Sequence, residues 1–428
     1  MDKIKKAASY LKNDELVKQG TIMFVSGTIA SIFNYSYQVY MGRVLGPEEY
    51  GVFGALFAIF YIIGIISQTL GTSTTQFVSK FVGEGKQIGF FIKGSLKRTI
   101  LLGSAISLIF LIFRTELRNV LKLPDVWPIL ILILILSLSW IIPIIDGSLR
   151  GLKRYSALAF SGISNALFKL IFGVGLVMAG FGVSGALLGV AIGAILGLFI
   201  SFGFLKPYIK PNNPHDPDFR YSSFYSYSLP VMFAMISLSI PSNLDVILAK
   251  NFFSPSEAGL YTSVSVLGKI VFFFSGAVGT VMFPMITEKF TKGENTRGIL
   301  TKSLLCVGAL SGSLELIYAV YPQIVVKIFG GKYFEAVDLV APYGLAMFFV
   351  SITAIVMSYH LAIKNMRYIA FFTGFTLIEI ALLMIFHSSM AGMITVLLIA
   401  NFVFLAMSIV YTFTKEEPCV SHYMCRRE

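Results

Sequence analysis

The stretch YMGRVLGPEEYGVFGAL, residues 40–56, returns in similar form as LAKNFFSPSEAGLYTSV, residues 248–264. Pro47 and Pro255 occupy the same place in the two copies and lie 208 residues apart (255 − 47), almost half of the 428-residue chain. Each copy is a short polar interruption between long apolar runs. The spacing therefore predicts a chain built from two similar halves.

The composition excludes a soluble protein. Hydrophobic residues make up 56% of the chain and charged residues 13%, and the mean hydropathy is +0.79. Runs such as WPILILILILSLSWIIPII have no polar face that a helix in water would need. These features are typical of an integral membrane protein.

Apolar stretches of about twenty residues, the length of a membrane-spanning helix, recur along the chain. We count twelve, with approximate cores at 19–41, 51–72, 94–113, 127–148, 156–179, 183–205, 227–249, 260–285, 301–321, 337–362, 367–386 and 391–413. Six spans per half place both copies of the motif between the first and second helices of a half. Because six is even, the two halves share one orientation, as in transporters with parallel repeats.

The sequence thus predicts an all-α polytopic membrane protein with two pseudo-symmetric bundles of six helices. Its expected parts are a basic N-terminal segment (1–18), an N-lobe (19–205), a linker (206–226), a C-lobe (227–413) and a tail (414–428).

Lys and Arg residues predict the orientation, because they favour the cytoplasmic side of short loops. With the N-terminus inside, 25 of the 34 lie on the cytoplasmic side and 7 outside, while Lys169 and Lys269 fall within spans. We therefore predict a multi-pass protein of the cytoplasmic membrane with both termini cytoplasmic. This asymmetry accounts for the sequence pI of about 9.4 without a nucleic-acid partner.

Several stretches resemble characteristic segments of the prokaryotic polysaccharide-biosynthesis membrane proteins, the Wzx-type oligosaccharide flippases of the MOP superfamily. They are GRVLGPEEYGVF, FVSKFVGEG, GSLRGLKRY, NLDVILAKNFFSPSEAGLY and KIFGGKYFEAVDLVAPYGLAMF. That family is similar in fold to the MATE multidrug exporters and to the lipid II flippase MurJ. Twelve spans agree with the Wzx and MATE pattern rather than with the fourteen of MurJ.

The resemblance implies a V-shaped, MATE-like pair of bundles in which the first, second, seventh and eighth helices face a central cavity. The implied cargo is an oligosaccharide on a polyprenyl pyrophosphate. Alternating access would move it from the cytoplasmic to the outer leaflet.

Such a cargo needs cations for phosphate and amide or aromatic groups for sugar, because neither part crosses hydrocarbon unaided. Lys269, about 12 Å below the outer end of the eighth span, is the first candidate for phosphate. Arg43 is a second candidate that also fits an interfacial position. Asn34 and Gln38, one helical turn apart in the first span, are the candidates for sugar. Lys169, in the fifth span, is not placed among the contact residues.

Three carboxylates within spans are candidates for a charge pair or for coupling to H⁺ or Na⁺. Asp245 is suited to pairing with Lys269 or Lys250, or to binding a cation. Glu315 and Glu379 have no partner that the sequence identifies.

Other chemistry has little support in the sequence. No GxxxxGK[ST] motif occurs, which argues against nucleotide-driven transport, and we expect neither an enzyme nor a bound cofactor. Cys419, His422 and Cys425 lack the paired spacing of a zinc site, so no metal site is predicted. The alternative function is a MATE-like exporter of small molecules driven by protons or sodium. Expected partners are the lipid-linked oligosaccharide, membrane lipids and glycan-assembly enzymes.

Overall fold

The structure, a computed structural model, describes residues 15–84, 88–209 and 221–414, and it contains no strand within these ranges. The helices of the first half are α1 (Glu15–Gly83), α2 (Gly89–Ile112), α3 (Arg114–Val120), α4 (Trp127–Ser139), α5 (Ile142–Gly151), α6 (Tyr155–Leu176) and α7 (Gly182–Leu205). Those of the second half are α8 (Tyr221–Ser239), α9 (Leu244–Phe252), α10 (Pro255–Thr291), α11 (Arg297–Val320), α12 (Ile324–Phe329), α13 (Val337–Ala362), α14 (Met366–Ile385) and α15 (Met390–Thr414). Most of the predicted N-terminal segment, half of the linker and the tail with Cys419, His422 and Cys425 lie outside the described residues.

The structure is consistent with the predicted number of spans. The described residues contain nine helices that are long and apolar enough to cross a membrane, and a tenth crossing formed by a pair bent by 42°. Two of the nine, Gln19–Gly83 with 65 residues and Tyr155–Tyr208 with 54, are long enough to cross twice, because one crossing requires about twenty residues. Each of these crosses twice, which brings the total to twelve.

Glycine breaks the two long helices where the sequence predicts turns. In α1 the helical backbone is interrupted at Gly46, whose φ is 73°. Between α6 and α7, Gly180 has a φ of 90° and Gly182 a φ of 48°. Residues with a Cβ rarely adopt such a conformation, so these positions end one crossing and begin the next.

Proline breaks two further spans within their length. The fourth span divides into α4 and α5, with Pro143 in the first turn of α5. The seventh divides into α8 and α9 across a 3₁₀ turn, Ile240–Ser242, that contains Pro241. Because proline lacks an amide hydrogen, the preceding turn loses a hydrogen bond and the helix bends.

The described residues pack into two compact units. The first contains the chain up to Leu45 and the segment Ile63–Ser228, and the second contains Gly46–Ile62 and the chain from Leu229 onward. The packing thus assigns the segment Gly46–Ile62 of α1 to the unit that holds the C-terminal half. The domain boundaries expected from the sequence remain a prediction.

Each unit has its own apolar core. In the first unit Trp140, Phe91 and Leu149 are fully buried in one cluster. In the second unit one cluster surrounds Ile286 and another surrounds Tyr368. Many apolar side chains are instead highly exposed, as expected of helices that face lipid, and they include Leu101 (73%), Phe199 (70%) and Val320 (77%).

The two copies of the repeated motif pack against each other within the second unit. A Cβ at Gly259 would lie 1.7 Å from the carbonyl oxygen of Pro47, and a Cβ at Gly51 would lie 2.8 Å from the amide nitrogen of Gly259. A Cβ at Gly54 would lie 2.3 Å from Thr262 Cγ2. Backbones this close are typical of helix contacts in membranes, where small residues permit van der Waals packing.

We expect Gly259→Ala to destabilise the second unit by about 1–3 kcal/mol, because the added methyl group overlaps backbone atoms that a rotamer change cannot move. Thermal unfolding of the purified protein in detergent measures the effect. The matched control is Gly276→Ala on the same helix, where no atom lies within 4 Å of the added Cβ. Equal midpoints for wild type and Gly259→Ala would contradict the observed contact.

Candidate functional site

Lys269 lies on α10 within the second unit and contacts neutral groups. Its Nζ donates a hydrogen bond to Asn243 Oδ1 over 3.1 Å and lies 5.7 Å from the centre of the Tyr61 ring. Asn243 is held in place in turn, because its Nδ2 donates to the Ser239 carbonyl over 2.9 Å. The ammonium is thus oriented by an amide and an aromatic face, the two groups that hold a cation without neutralising it.

Asp245 follows Asn243 by two residues and is completely buried. The hydroxyl groups of Tyr343 and Tyr261 donate to its Oδ2 over 2.8 and 3.0 Å. Asp245 attracts Lys269 electrostatically, but these two described residues form no direct ion pair. The carboxylate is therefore held by tyrosines, and the ammonium of Lys269 keeps its own neutral partners.

Glu379 lies on α14 beside a small cavity of the second unit and is 2% exposed. Asn401, on α15, donates its Nδ2 hydrogen to Glu379 Oε1 over 2.8 Å. Thr353 and Thr376 add hydroxyl groups to the lining of this cavity. The other residues that line the cavity are apolar, but the carboxylate, the amide and the two hydroxyls supply oxygen atoms of the kind that bind a hard cation or a proton.

Glu315, on α11, has a different environment. Its carboxyl group lies against the backbone of α13, where a Cβ at Gly344 would meet Glu315 Oε2 at 2.1 Å. Among the described residues no hydrogen-bond partner reaches Glu315 Oε2. Glu315 is thus separated from the polar clusters and sits at a helix–helix contact.

In the first unit Asn34 contacts a residue that the sequence analysis had set aside. Lys169, on α6, donates from Nζ to Asn34 Oδ1, and the same Nζ lies 5.0 Å from the centre of the Tyr37 ring. Tyr37 is fully buried and its hydroxyl donates to the Ala186 carbonyl over 2.5 Å. The structure therefore brings Asn34, the residue predicted to bind sugar, together with the ammonium group of Lys169.

The remaining candidates of the first unit differ in exposure. Gln38 is partly buried one turn after Asn34 on the same helix, whereas Arg43 is exposed just before the break at Gly46. The seven candidates thus divide between the units, with Asn34, Gln38 and Arg43 in the first and the others in the second.

The sequence did not predict three residues of these polar clusters. They are Lys169, which donates to Asn34, and Tyr261 and Tyr343, which donate to Asp245. Lys169 did carry a signal, since an ionisable residue in the middle of a span is costly unless it has a role. The tyrosines carried no such signal, because Tyr is common in membrane helices. Asp245 lies 16 residues from Tyr261 and 98 residues from Tyr343 in the sequence.

Solved structures similar to this chain are transporters. An inward-facing MATE family multidrug resistance transporter of the MOP superfamily aligns over 91% of this chain and 98% of its own, with a TM-score of 0.73 and 14% identity. The lipid II flippase MurJ, in an inward closed conformation, aligns over 92% and 88%, with a TM-score of 0.72 and 16% identity. A MOP superfamily transporter from Pyrococcus furiosus aligns over 92% and 94%, with a TM-score of 0.64 and 17% identity.

At these identities the likeness establishes the fold, which confirms the predicted fold class. No curated protein sequence matches the chain. The family model described as polysaccharide biosynthesis protein matches residues 16–290, more than half of the chain. Taken with the twelve apolar crossings and the MATE- and MurJ-like fold, this match means that the chain belongs to the polysaccharide biosynthesis protein family.

Proposed function

We propose that this protein is a flippase for an oligosaccharide linked to a polyprenyl pyrophosphate. It moves this cargo from the cytoplasmic to the outer leaflet by alternating access, for polysaccharide biosynthesis. Membership of the polysaccharide biosynthesis family and a fold similar to that of the lipid II flippase MurJ support the proposal. The chain itself acts as a transporter and not as an enzyme.

The observation that carries the proposal is the environment of Lys269. A cation within an apolar span is costly unless a partner compensates its charge. Here the amide of Asn243 and the ring of Tyr61 orient the ammonium, and no carboxylate pairs with it directly. The ammonium is thus available to a pyrophosphate. In the first unit, Asn34 and Gln38 are the residues proposed to bind sugar hydroxyls.

Coupling to a gradient of H⁺ or Na⁺ fits Glu379 better than Glu315. Glu379 lies beside a cavity with Asn401 and two threonines, so a cation entering this space meets several oxygen atoms. Glu315 is pressed against Gly344 and lacks such surroundings.

A second candidate function is a proton- or sodium-coupled exporter of small molecules. The buried carboxylates Asp245 and Glu379 favour it, because transporters of cations and protons rely on such groups. Under this alternative the carboxylates, and not Lys269, contact the transported molecule.

The proposed location is the cytoplasmic membrane, with both termini cytoplasmic. Membrane lipids surround the spans, and glycan-assembly enzymes are the expected protein partners, since they make the cargo and use it after translocation.

We expect Lys269→Ala to abolish surface polysaccharide in the source organism, because loss of a charge-assisted contact to pyrophosphate weakens cargo binding by about tenfold or more. Lys269→Arg should retain most of it, since the charge is preserved. The measurement is surface carbohydrate, normalised to the amount of protein in the membrane. Lys302→Ala, a change at an exposed lysine of α11, is the matched control. Intact surface polysaccharide in Lys269→Ala, with loss of cationic dye efflux in Asp245→Asn, would instead support the exporter.

For coupling, we expect Glu379→Gln to remove the dependence of transport on an ion gradient, because an amide neither binds a proton nor balances a cation. The assay is translocation of a short-chain polyprenyl-pyrophosphate disaccharide in proteoliposomes, with and without a proton or sodium gradient. Glu315→Gln is the control and should keep the dependence. A gradient response that survives in Glu379→Gln would exclude Glu379 as the coupling group.

For orientation, we expect a single cysteine at Asp125 to react with a membrane-impermeant maleimide in intact cells, in a background with Cys306, Cys419 and Cys425 replaced by Ser. A cysteine at Glu294 should react only after the membrane is permeabilised. Both positions are exposed, in loops on opposite sides of the predicted membrane. Labelling of Glu294→Cys in intact cells would reverse the proposed topology.

A further inference from the structure

Lys169 is the second lysine within a span, and its surroundings resemble those of Lys269. Each lysine donates to the side-chain oxygen of an asparagine, and each lies over a tyrosine ring. Lys169 belongs to the first unit and Lys269 to the second, so each unit contains one such cluster.

Lys169 has no charged partner among the described residues. Within these residues no carboxylate forms an ion pair with it, and it contacts the amide of Asn34 and the ring of Tyr37, both neutral. An ammonium group has three hydrogens to donate. Asn34 accepts one, which leaves two for a group that brings oxygen atoms and negative charge.

The side chain that lies beneath Lys169 is itself fixed by other contacts. Tyr37 is anchored by its hydrogen bond to Ala186, and its ring packs on Gly173, where a Cβ would lie 2.5 Å from Cε2. The ring is therefore held in place on the helix that carries Lys169. Both Lys169 and Asn34 remain partly exposed, so a ligand can reach them.

The internal repeat does not account for both clusters. Adding 208 to 34 gives 242, which is Ser242, and Asn243 corresponds to Tyr35, so neither asparagine has an asparagine counterpart in the other half. Adding 208 to 169 gives 377, which is Leu377, so Lys169 has no lysine counterpart in the second half. There the cation comes from Lys269, on a different helix of the repeat. The two clusters thus use unrelated positions for both the lysine and the asparagine, so the internal repeat does not explain their similarity.

We propose that Lys169, Asn34 and Tyr37 form an anion-binding site in the first unit, distinct from Lys269, that accepts a phosphate or a sugar carboxylate. The ammonium pairs with the anion, and the Asn34 amide and the buried ring of Tyr37 orient the ammonium. The existence of the site is independent of the proposed function, and only the source of the anion, the lipid carrier's phosphate or an acidic sugar, rests on it.

The test measures binding to purified full-length protein in detergent, with three probes. Farnesyl pyrophosphate carries the phosphate, trigalacturonic acid carries the carboxylate, and farnesol is the uncharged control. Lys169→Gln retains a hydrogen donor for Asn34 without the charge, and Lys169→Arg retains the charge. Lys269→Ala serves as the comparison in the second unit.

We expect Lys169→Gln to bind one of the charged probes about tenfold more weakly or worse, and Lys169→Arg to stay within about threefold of wild type. A loss confined to farnesyl pyrophosphate assigns the site to phosphate, and a loss confined to trigalacturonic acid assigns it to an acidic sugar. Unchanged affinity of Lys169→Gln for both charged probes would overturn the proposal. It would also be overturned if the wild-type protein bound neither charged probe.

A measurement without substitution guards against variants that fail to fold. The charged probe that binds should protect Lys169 of the wild-type protein from acylation by a lysine-specific reagent, as read by mass spectrometry, whereas farnesol should not. Unprotected Lys169 in the presence of saturating probe would also overturn the site. If surface polysaccharide proves independent of Lys269 while Lys169 still binds an anion, the proposed function fails and the anion site stands.

Discussion

The cost of placing a charged group in hydrocarbon is the constraint on which this structure depends. It confines nearly all of the 34 Lys and Arg residues to loops and helix ends, and it leaves long apolar stretches that cross the membrane twelve times. The same cost makes the exceptions informative. Lys169 and Lys269 lie within spans, and both are oriented by an amide and an aromatic ring, so the fold keeps two positive charges where most of the chain excludes them.

Close backbone contact provides the frame that holds these charges. In the second unit Gly259 lies directly on Pro47, and this contact joins α1 to α10, the two helices that carry Tyr61 and Lys269. Apolar side chains gain little by packing together when the solvent is lipid, so helices associate through small residues and polar bonds. The hydrogen bonds of Tyr261 and Tyr343 to Asp245 are such polar bonds, and they connect α10 and α13 to α9.

Under the proposed function, three tasks fall to different residues. Lys169 and Lys269 provide positive charge and are hydrogen-bonded to neutral groups, Asp245 is enclosed by tyrosines, and Glu379 lies beside a small cavity lined mainly by apolar side chains. A carrier of a phosphate-linked sugar needs cations for the phosphate, amides and rings for the sugar, and a separate group that senses an ion gradient. The polysaccharide biosynthesis family is consistent with that division.

The sequence by itself determined the membrane class, the number of crossings and the places where they break, because hydropathy, glycine and proline act locally along the chain. It also identified Asn34, Lys269, Asp245 and Glu379 as unusual, since a polar group in an apolar span is visible in one dimension. Only the tertiary structure decided their partners: Lys169 for Asn34 across 135 residues, Tyr343 for Asp245 across 98, and Asn401 for Glu379 across 22. Many polar residues in spans compete for each such pairing, and the choice among them depends on how the helices pack, which no local pattern encodes.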